Sequence, residues 1–187
     1  MSDSDHSAFR QALAKFPTGV TVVTAQSPSR KVSVGLTVSS FNSVSLSPPL
    51  VLWSISSQSQ HLDAFEAGLA HRIHVLAQGQ EDLALRFARS GPDKFADLQT
   101  RDMQTQGNES KPQHEVSPFD SIPILAQCCA RFDCITEVIH DAGDHCVIIA
   151  RVLCFEVGQR EPLVFAHGRF FGLSKRSSFS DKAPQQT

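Results

Sequence analysis

The stretch Ala130-Arg131-Phe132-Asp133-Cys134-Ile135-Thr136-Glu137-Val138 decides the fold class. Ala130, Phe132, Cys134, Thr136 and Val138 alternate with Arg131, Asp133, Ile135 and Glu137. A period of two puts the first set on one face of a strand and the second, mostly polar, set on the other. That pattern belongs to an antiparallel sheet with one buried face. Working outward, Asp141-Ala142-Gly143-Asp144 reads as a turn, and residues 146–157 return as a long strand. Residues 163–166 form another. Upstream, residues 19–25 are rich in Val and Thr, Ser27-Pro28-Ser29-Arg30 makes a turn, and residues 31–38 complete a hairpin. Residues 50–53 have the composition of a buried strand, and residues 72–76 of a short one. Helical spacing recurs at Phe9, Ala12, Leu13 and Phe16, with Pro17 ending the run. Residues 61–66 predict a short helix closed by Gly68, and residues 80–89 a helix with Leu83 and Phe87 four apart. About six strands with two or three short helices predict a mainly β (α+β) chain, a β-barrel with helical decoration.

The chain has 187 residues and a formal net charge of −2. This length predicts one domain over residues 1–187, with residues 98–117 a long loop and 174–187 a flexible tail. The balanced charge excludes the basic surface of a nucleic-acid protein. No apolar run approaches the roughly 18 residues of a membrane helix, and the polar, acidic N-terminus lacks the pattern of a secretory signal. Five Cys, an odd number without a Cys-x-x-Cys pair, suit a reducing cytoplasm. The sequence has no Gly-x-Gly, no Gly-Lys-Ser/Thr and no Gly-x-Ser-x-Gly, which excludes three common catalytic loops. It has no Tyr, so phenolic acid–base chemistry is excluded, but its 13 Phe suit a core or a flat apolar ligand.

Segments 39–41 and 54–60 are dense in short hydroxyl and amide side chains beside strand ends. They read as plain loops or as holders of a phosphate or a polar ring edge. His140 to His145 contains two His and two Asp, which read as a solvated turn or as a metal site. The turn is the better reading, and we expect no metal. His71 and His74, three apart on a strand, point to opposite faces and cannot chelate together. Cys134, Cys146 and Cys154 sit in apolar context and are expected to be buried and inert. Lys94 and Arg169 are either surface residues or anion contacts.

The order of several motifs resembles one family. Phe16-Pro17-Thr18-Gly19-Val20 is followed by Gly35-Leu36-Thr37-Val38-Ser39-Ser40-Phe41 and Ser45-Leu46-Ser47-Pro48-Pro49-Leu50-Val51. Asp93-Lys94-Phe95, Gly143-Asp144-His145 and Pro162-Leu163-Val164-Phe165 then come in turn. This set, over about residues 9–173, resembles the short-chain flavin reductases, the small components of two-component flavin monooxygenases. The resemblance implies an FMN-binding split β-barrel, a homodimer, and hydride transfer from NADH or NADPH to FMN or FAD. Reduced flavin would pass to a separate flavin-dependent oxygenase. The other occupation of such a barrel is non-catalytic flavin or haem binding.

The resemblance also implies site residues. Ser33, Val34, Gly35, Leu36 and Thr37, with Ser39, Ser40 and Phe41, would line the flavin ring. Ser54, Ile55, Ser56, Ser57, Ser59 and Gln60 would hold the ribityl chain and phosphate. Phe87, Lys94 and Phe95 would close the far side. His145, with Gly143 and Asp144, would position the nicotinamide nucleotide, and Arg169 would approach from the C-terminal end. Three departures stand out. Relatives often carry Lys or Arg in the segment matching residues 56–60, where this chain has only Ser and Gln. A charge-assisted phosphate contact is about twice as strong as a neutral one, so flavin is expected to bind loosely, as a diffusing substrate does. His74 stands where relatives often have Asn, and Phe170 where they have Tyr.

Overall fold

The structure is a computed structural model that describes residues 3–91, 94–96, 98 and 117–173. Most of the 98–117 loop and all of the 174–187 tail lie outside these residues. The chain opens with helix α1 (Asp3–Leu13) and the two-residue strand β1 (Thr18–Gly19). Then come β2 (Thr21–Gln26), β3 (Ser33–Val38), β4 (Asn42–Leu46) and β5 (Pro49–Ser56). A single 3-10 turn (Leu62–Phe65) leads to β6 (Ala70–Val75) and helix α2 (Glu81–Ala88). The last part holds β7 (Ala130–Ala142), β8 (His145–Val157), β9 (Leu163–Ala166) and β10 (Arg169–Gly172). Seven strands pair in the order β3-β2-β6-β7-β8-β5-β4, every pair antiparallel, and β1, β9 and β10 make a second, three-stranded sheet.

That order forces the large sheet to roll up. Its two edge strands, β3 and β4, are joined by only residues 39–41. Three extended residues reach roughly 10 Å, so the two edges must curl toward each other. The connecting segment is tied to β5, where the Ser54 amide donates to Ser40 Oγ at 2.9 Å, and no ladder joins β3 to β4. The result is a split barrel.

The inner core holds Val23, Ala25, Trp53, Phe65, Ile73 and Ile148. A second cluster of Val20, Val22, Leu76, Ala84, Phe87 and Leu163 lies outside the barrel wall, under α2 and β9. Strand β2 therefore carries apolar residues on both faces, which explains its unbroken Val-Val-Thr-Ala character. His71 and His74 lie on opposite faces of β6, both fully buried. His71 Nε2 accepts from Trp53 Nε1–H at 3.4 Å. His74 Nε2 accepts from the Leu125 amide at 3.2 Å, and its Nδ1 faces Val22 O at 3.2 Å.

Four details differ from the sequence reading. Helix α1 stops at Leu13, so Phe16 lies beyond it, 74% exposed. Strands β4 and β10 are not assigned from the sequence: in β4, Val44 and Leu46 alternate with Ser43 and Ser45 over too few residues beside Pro48-Pro49, β10 shows no alternation, and both are largely exposed. Val138 is not on the buried face. The pairing of β7 with β8 slips between Thr136 and Val138, making Glu137 an extra residue, and Ile139 packs on the core instead. Cys154 is exposed, paired with Asp133 at the register slip between Asp133 and Cys134.

Candidate functional site

The described surface folds into a groove between β3, the residues after β5 and the segment after α2. One cavity of about 750 Å³ is lined by Ser33, Val34, Gly35, Gln60, His61, Lys94 and Phe95, with Arg30 and Val32 at its edge. A neighbouring hollow of about 450 Å³ shares Gln60, His61 and Lys94, and adds Leu36, Thr37, Ser59, Phe87 and Arg89. Sharing Gln60, His61 and Lys94, the two are taken together as one trough.

Gly35 is required by packing. A Cβ there would lie 2.3 Å from Phe87 Cε1 and 3.0 Å from Phe95 Cζ. Phe87 is 1% exposed and meets Phe95 edge to face at 5.0 Å, so it has no room to retreat. A Gly35→Ala protein is therefore expected to lose about 1–3 kcal/mol, the usual cost of overpacking. Denaturant melts measure the loss, and adding Phe87→Leu should recover part of it; a fully stable single variant would overturn the packing argument.

Lys94 closes this wall. Its Nζ donates to Gly35 O at 3.1 Å and to Phe87 O at 3.2 Å, linking β3 to the end of α2. Burial pulls its pKa below the ordinary lysine value. A cation at a helix C-terminus is also favoured by the helix dipole. Thr37 Oγ1 donates to Ala84 O at 2.6 Å, a second tie between β3 and α2.

The opposite bank is residues 57–61. The Ser59 amide donates to Ser56 O at 2.9 Å, and Ser56 Oγ accepts from the Gln58 amide at 3.3 Å, folding the strand end into a tight loop. Arg30 crosses to this loop from the β2–β3 turn. Its Nη2 donates to Gln60 O at 2.9 Å and to His61 Nδ1 at 3.1 Å. Asp63 holds Arg30 from behind at 3.4 Å and accepts from Ser27 and Ser29 hydroxyls, each at 2.5 Å. Those two hydroxyls, before Arg30, keep Asp63 below the usual carboxylate range. A guanidinium can only donate, so His61 Nδ1 is an acceptor and the ring proton sits on Nε2. Burial first, then the charges of Arg30 and Lys94, lower the His61 pKa against the opposing pull of Asp63. The chain carries a net charge of −2, yet among the described residues the lining of these two hollows includes Arg30, Arg89 and Lys94 and no carboxylate; Asp82 lines the adjoining hollow that shares Arg89 and Lys94. Such a trough suits an anionic ligand.

The Gly143–Asp144 turn joins β7 to β8 beside this bank. Gly143 has φ of 71°, as the first position of a two-residue hairpin turn demands. Asp144 O accepts from the Ser57 amide and the Ser57 hydroxyl, both at 3.0 Å. His145 Nδ1 meets Asp144 Oδ1 at 2.7 Å, and this contact leads the causes that lower the Asp144 pKa. His145 pairs with Ser56 across the β5–β8 ladder and stays about half exposed.

Other residues named from the sequence are placed elsewhere. Ser40 and Ser54 bind each other at the barrel seam. Ile55 is buried in the core, and Phe41 packs on it, 5.6 Å from Phe132. Ser39 is exposed beside them. Arg169 is exposed on β10 in the small sheet, and does not line the trough. Asp93 lies outside the described residues. Arg30, His61 and Arg89 line the trough without having stood out in the sequence. Ser27-Pro28-Ser29-Arg30 carries only a turn signal, and its meeting with His61 spans 31 residues.

Residues 13–174 match the profile of the flavin reductase like domain. The chain is 40% identical over 169 residues to the FMN reductase (NADH) SmoA of Agrobacterium fabrum, covering 90% of this chain and 87% of that one. It is 35% identical over 170 residues to HsaB, the reductase subunit of a flavin-dependent monooxygenase of Rhodococcus jostii, covering 90% and 78%. Among solved structures it is similar to the NADH:FAD oxidoreductase SgcE6 of Streptomyces globisporus, determined with NAD and FAD fragments. That match has a TM-score of 0.79 at 28% identity and covers 95% of this chain and 98% of the other.

Proposed function

Because the chain belongs to the flavin reductase like domain family, we propose that it reduces flavin with a nicotinamide donor and hands the product to a partner monooxygenase. The observation that carries this reading is the trough lined by Arg30, Arg89 and Lys94 beside the Gly143–His145 turn. A bound flavin supplies the hydride acceptor itself, and the protein supplies position. In this reading Ser33, Val34, Gly35 and Thr37 line the ring, and Ser59 and Gln60 lie along its side chain. Lys94 and Phe95 close the far wall. His145 and Asp144 orient the nucleotide. The names of SmoA and SgcE6 support FMN and FAD respectively as the flavin, and NADH as the donor.

The test is oxidation of NADH and NADPH by purified protein, with and without FMN, FAD and riboflavin. We expect turnover that depends on added flavin. No rate above the flavin-free control, with either nucleotide, would overturn the reading. In the same assay His145→Ala is expected to raise the nucleotide KM about tenfold while flavin affinity holds, the pattern of a lost binding contact. An unchanged nucleotide KM would remove His145 from the site.

We also propose a homodimer. Leu153, Phe155 and Val157 share one face of β8 and are 55%, 67% and 70% exposed. A stripe of this kind suits burial against a second copy. Light scattering at micromolar concentration should give twice the chain mass, and a monomer for Phe155→Glu; a monomeric parent protein would overturn the proposal. Cytoplasmic residence fits five free thiols, and no helix among the described residues is long and apolar enough to cross a membrane.

A further inference from the structure

Residues 56–60 hold a strand end and a loop beside the trough but offer no charge of their own. The nearest fixed cation reaches them from another part of the chain. Arg30 spends Nε on Ser27 Oγ and Nη2 on Gln60 O, His61 Nδ1 and Asp63 Oδ1. Among the described residues none accepts from its Nη1, which leaves that end of the guanidinium for the cavity it edges. His61, held by Arg30 at Nδ1, presents Nε2–H from the lining of the same cavity. Lys94 already gives two of its N–H groups to backbone carbonyls, so it is a wall more than a clamp. The carboxylate that faces this cluster, Asp63, is engaged by two hydroxyls and stands behind Arg30.

Resting on the flavin reductase reading, we propose that Arg30, with the Nε2–H of His61 beside it, is the seat for the flavin's phosphate. It supplies the charge that residues 56–60 lack. The seat is pre-organised: Asp63, fixed by Ser27 and Ser29, holds the guanidinium in place before ligand arrives. Pre-organised donors spend less ordering entropy on binding. A planar guanidinium also matches phosphate geometry better than an ammonium does. This makes Arg30 the residue by which the enzyme tells FMN or FAD from riboflavin, which has the same ring and no phosphate.

The test is fluorescence titration of FMN and of riboflavin onto the full chain, the Arg30→Gln variant and the Arg30→Lys variant. Arg30→Gln is expected to weaken FMN binding about tenfold or more, the size of a charged hydrogen bond, and to leave riboflavin within about twofold. Arg30→Lys should recover part of the FMN affinity. If Arg30→Gln weakens both flavins equally, Arg30 only docks the loop, and the proposal falls. It also falls if FMN affinity is unchanged. Failure of the unaltered protein to bind or reduce any flavin would instead overturn the functional reading beneath it.

Discussion

Replacing Arg72 by Met is expected to cost about 3 kcal/mol of stability, the low end for breaking a buried ion pair. Arg72 is 1% exposed, a position that a cation tolerates only with full satisfaction. Its Nε donates to Asp133 Oδ1 at 3.1 Å. Its Nη1 donates to Phe119 O at 3.0 Å and also to Ile122 O, while Phe119 stacks its ring 5.5 Å away. Burial pulls the guanidinium pKa down, and the Asp133 charge pushes it back. The Met side chain would leave both carbonyls without this donor and strip Asp133 of one partner. Arg131, 3.2 Å from the same carboxylate oxygen, keeps the loss from being larger. For a chain of this size the melting midpoint should fall by roughly 6–12 °C. Hydrogen exchange should quicken first at residues 117–122, which Arg72 fastens to the barrel. A double change, Arg72→Met with Asp133→Ala, should recover part of the stability, because no buried carboxylate then lacks its partner. An unaltered midpoint in the single variant would show that the network holds nothing.

Acid should destabilise this protein earlier than carboxylate protonation alone would. Burial, the leading cause at both residues, lowers the pKa of His71 to about 4 and of His74 to about 3. In the unfolded chain both titrate near the ordinary value of 6.5. Below that value the unfolded state takes up protons that the folded state refuses. The stability conferred by neutral burial is therefore complete above pH 6.5 and drains away as the pH falls toward the folded values. Each histidine costs about 1.4 kcal/mol per pH unit in that window, so pH 5 removes about 4 kcal/mol through the pair. His61 adds a smaller, solvent-screened contribution of the same sign. His74→Asn should roughly halve the slope of stability against pH between 6.5 and 5. Denaturant titrations at several pH values read this directly, and a flat profile over the window would contradict it.

The sequence made the barrel legible through strands whose apolar residues are covered. Strand β7 was found by its alternation, and the β2–β3 hairpin by two Val-rich runs around a Ser-Pro-Ser-Arg turn. Strand β4 was not, because nothing covers its side chains and only pairing with β5 defines it. The slip at Glu137 is likewise silent, since one extra residue changes the face without changing the composition. At the trough the segments around Gly35 and Lys94, and beside it the Gly143–His145 turn, stand out by resemblance. The cluster of Arg30, His61 and Asp63 did not, since three short-range signals for turn and helix say nothing of a meeting across about 30 residues.

Trp53 gives the molecule an internal lamp. The chain has one Trp and no Tyr, so its near-ultraviolet emission comes almost wholly from this fully buried indole. The indole N–H is bonded to His71 Nε2, and the ring lies edge-on to Phe65 at 4.8 Å. Protonating His71 at Nε2 removes the acceptor that this N–H uses. Emission from one residue thus registers both the opening of the barrel and the arrival of that single proton, and a change that precedes unfolding as acid is added separates the two.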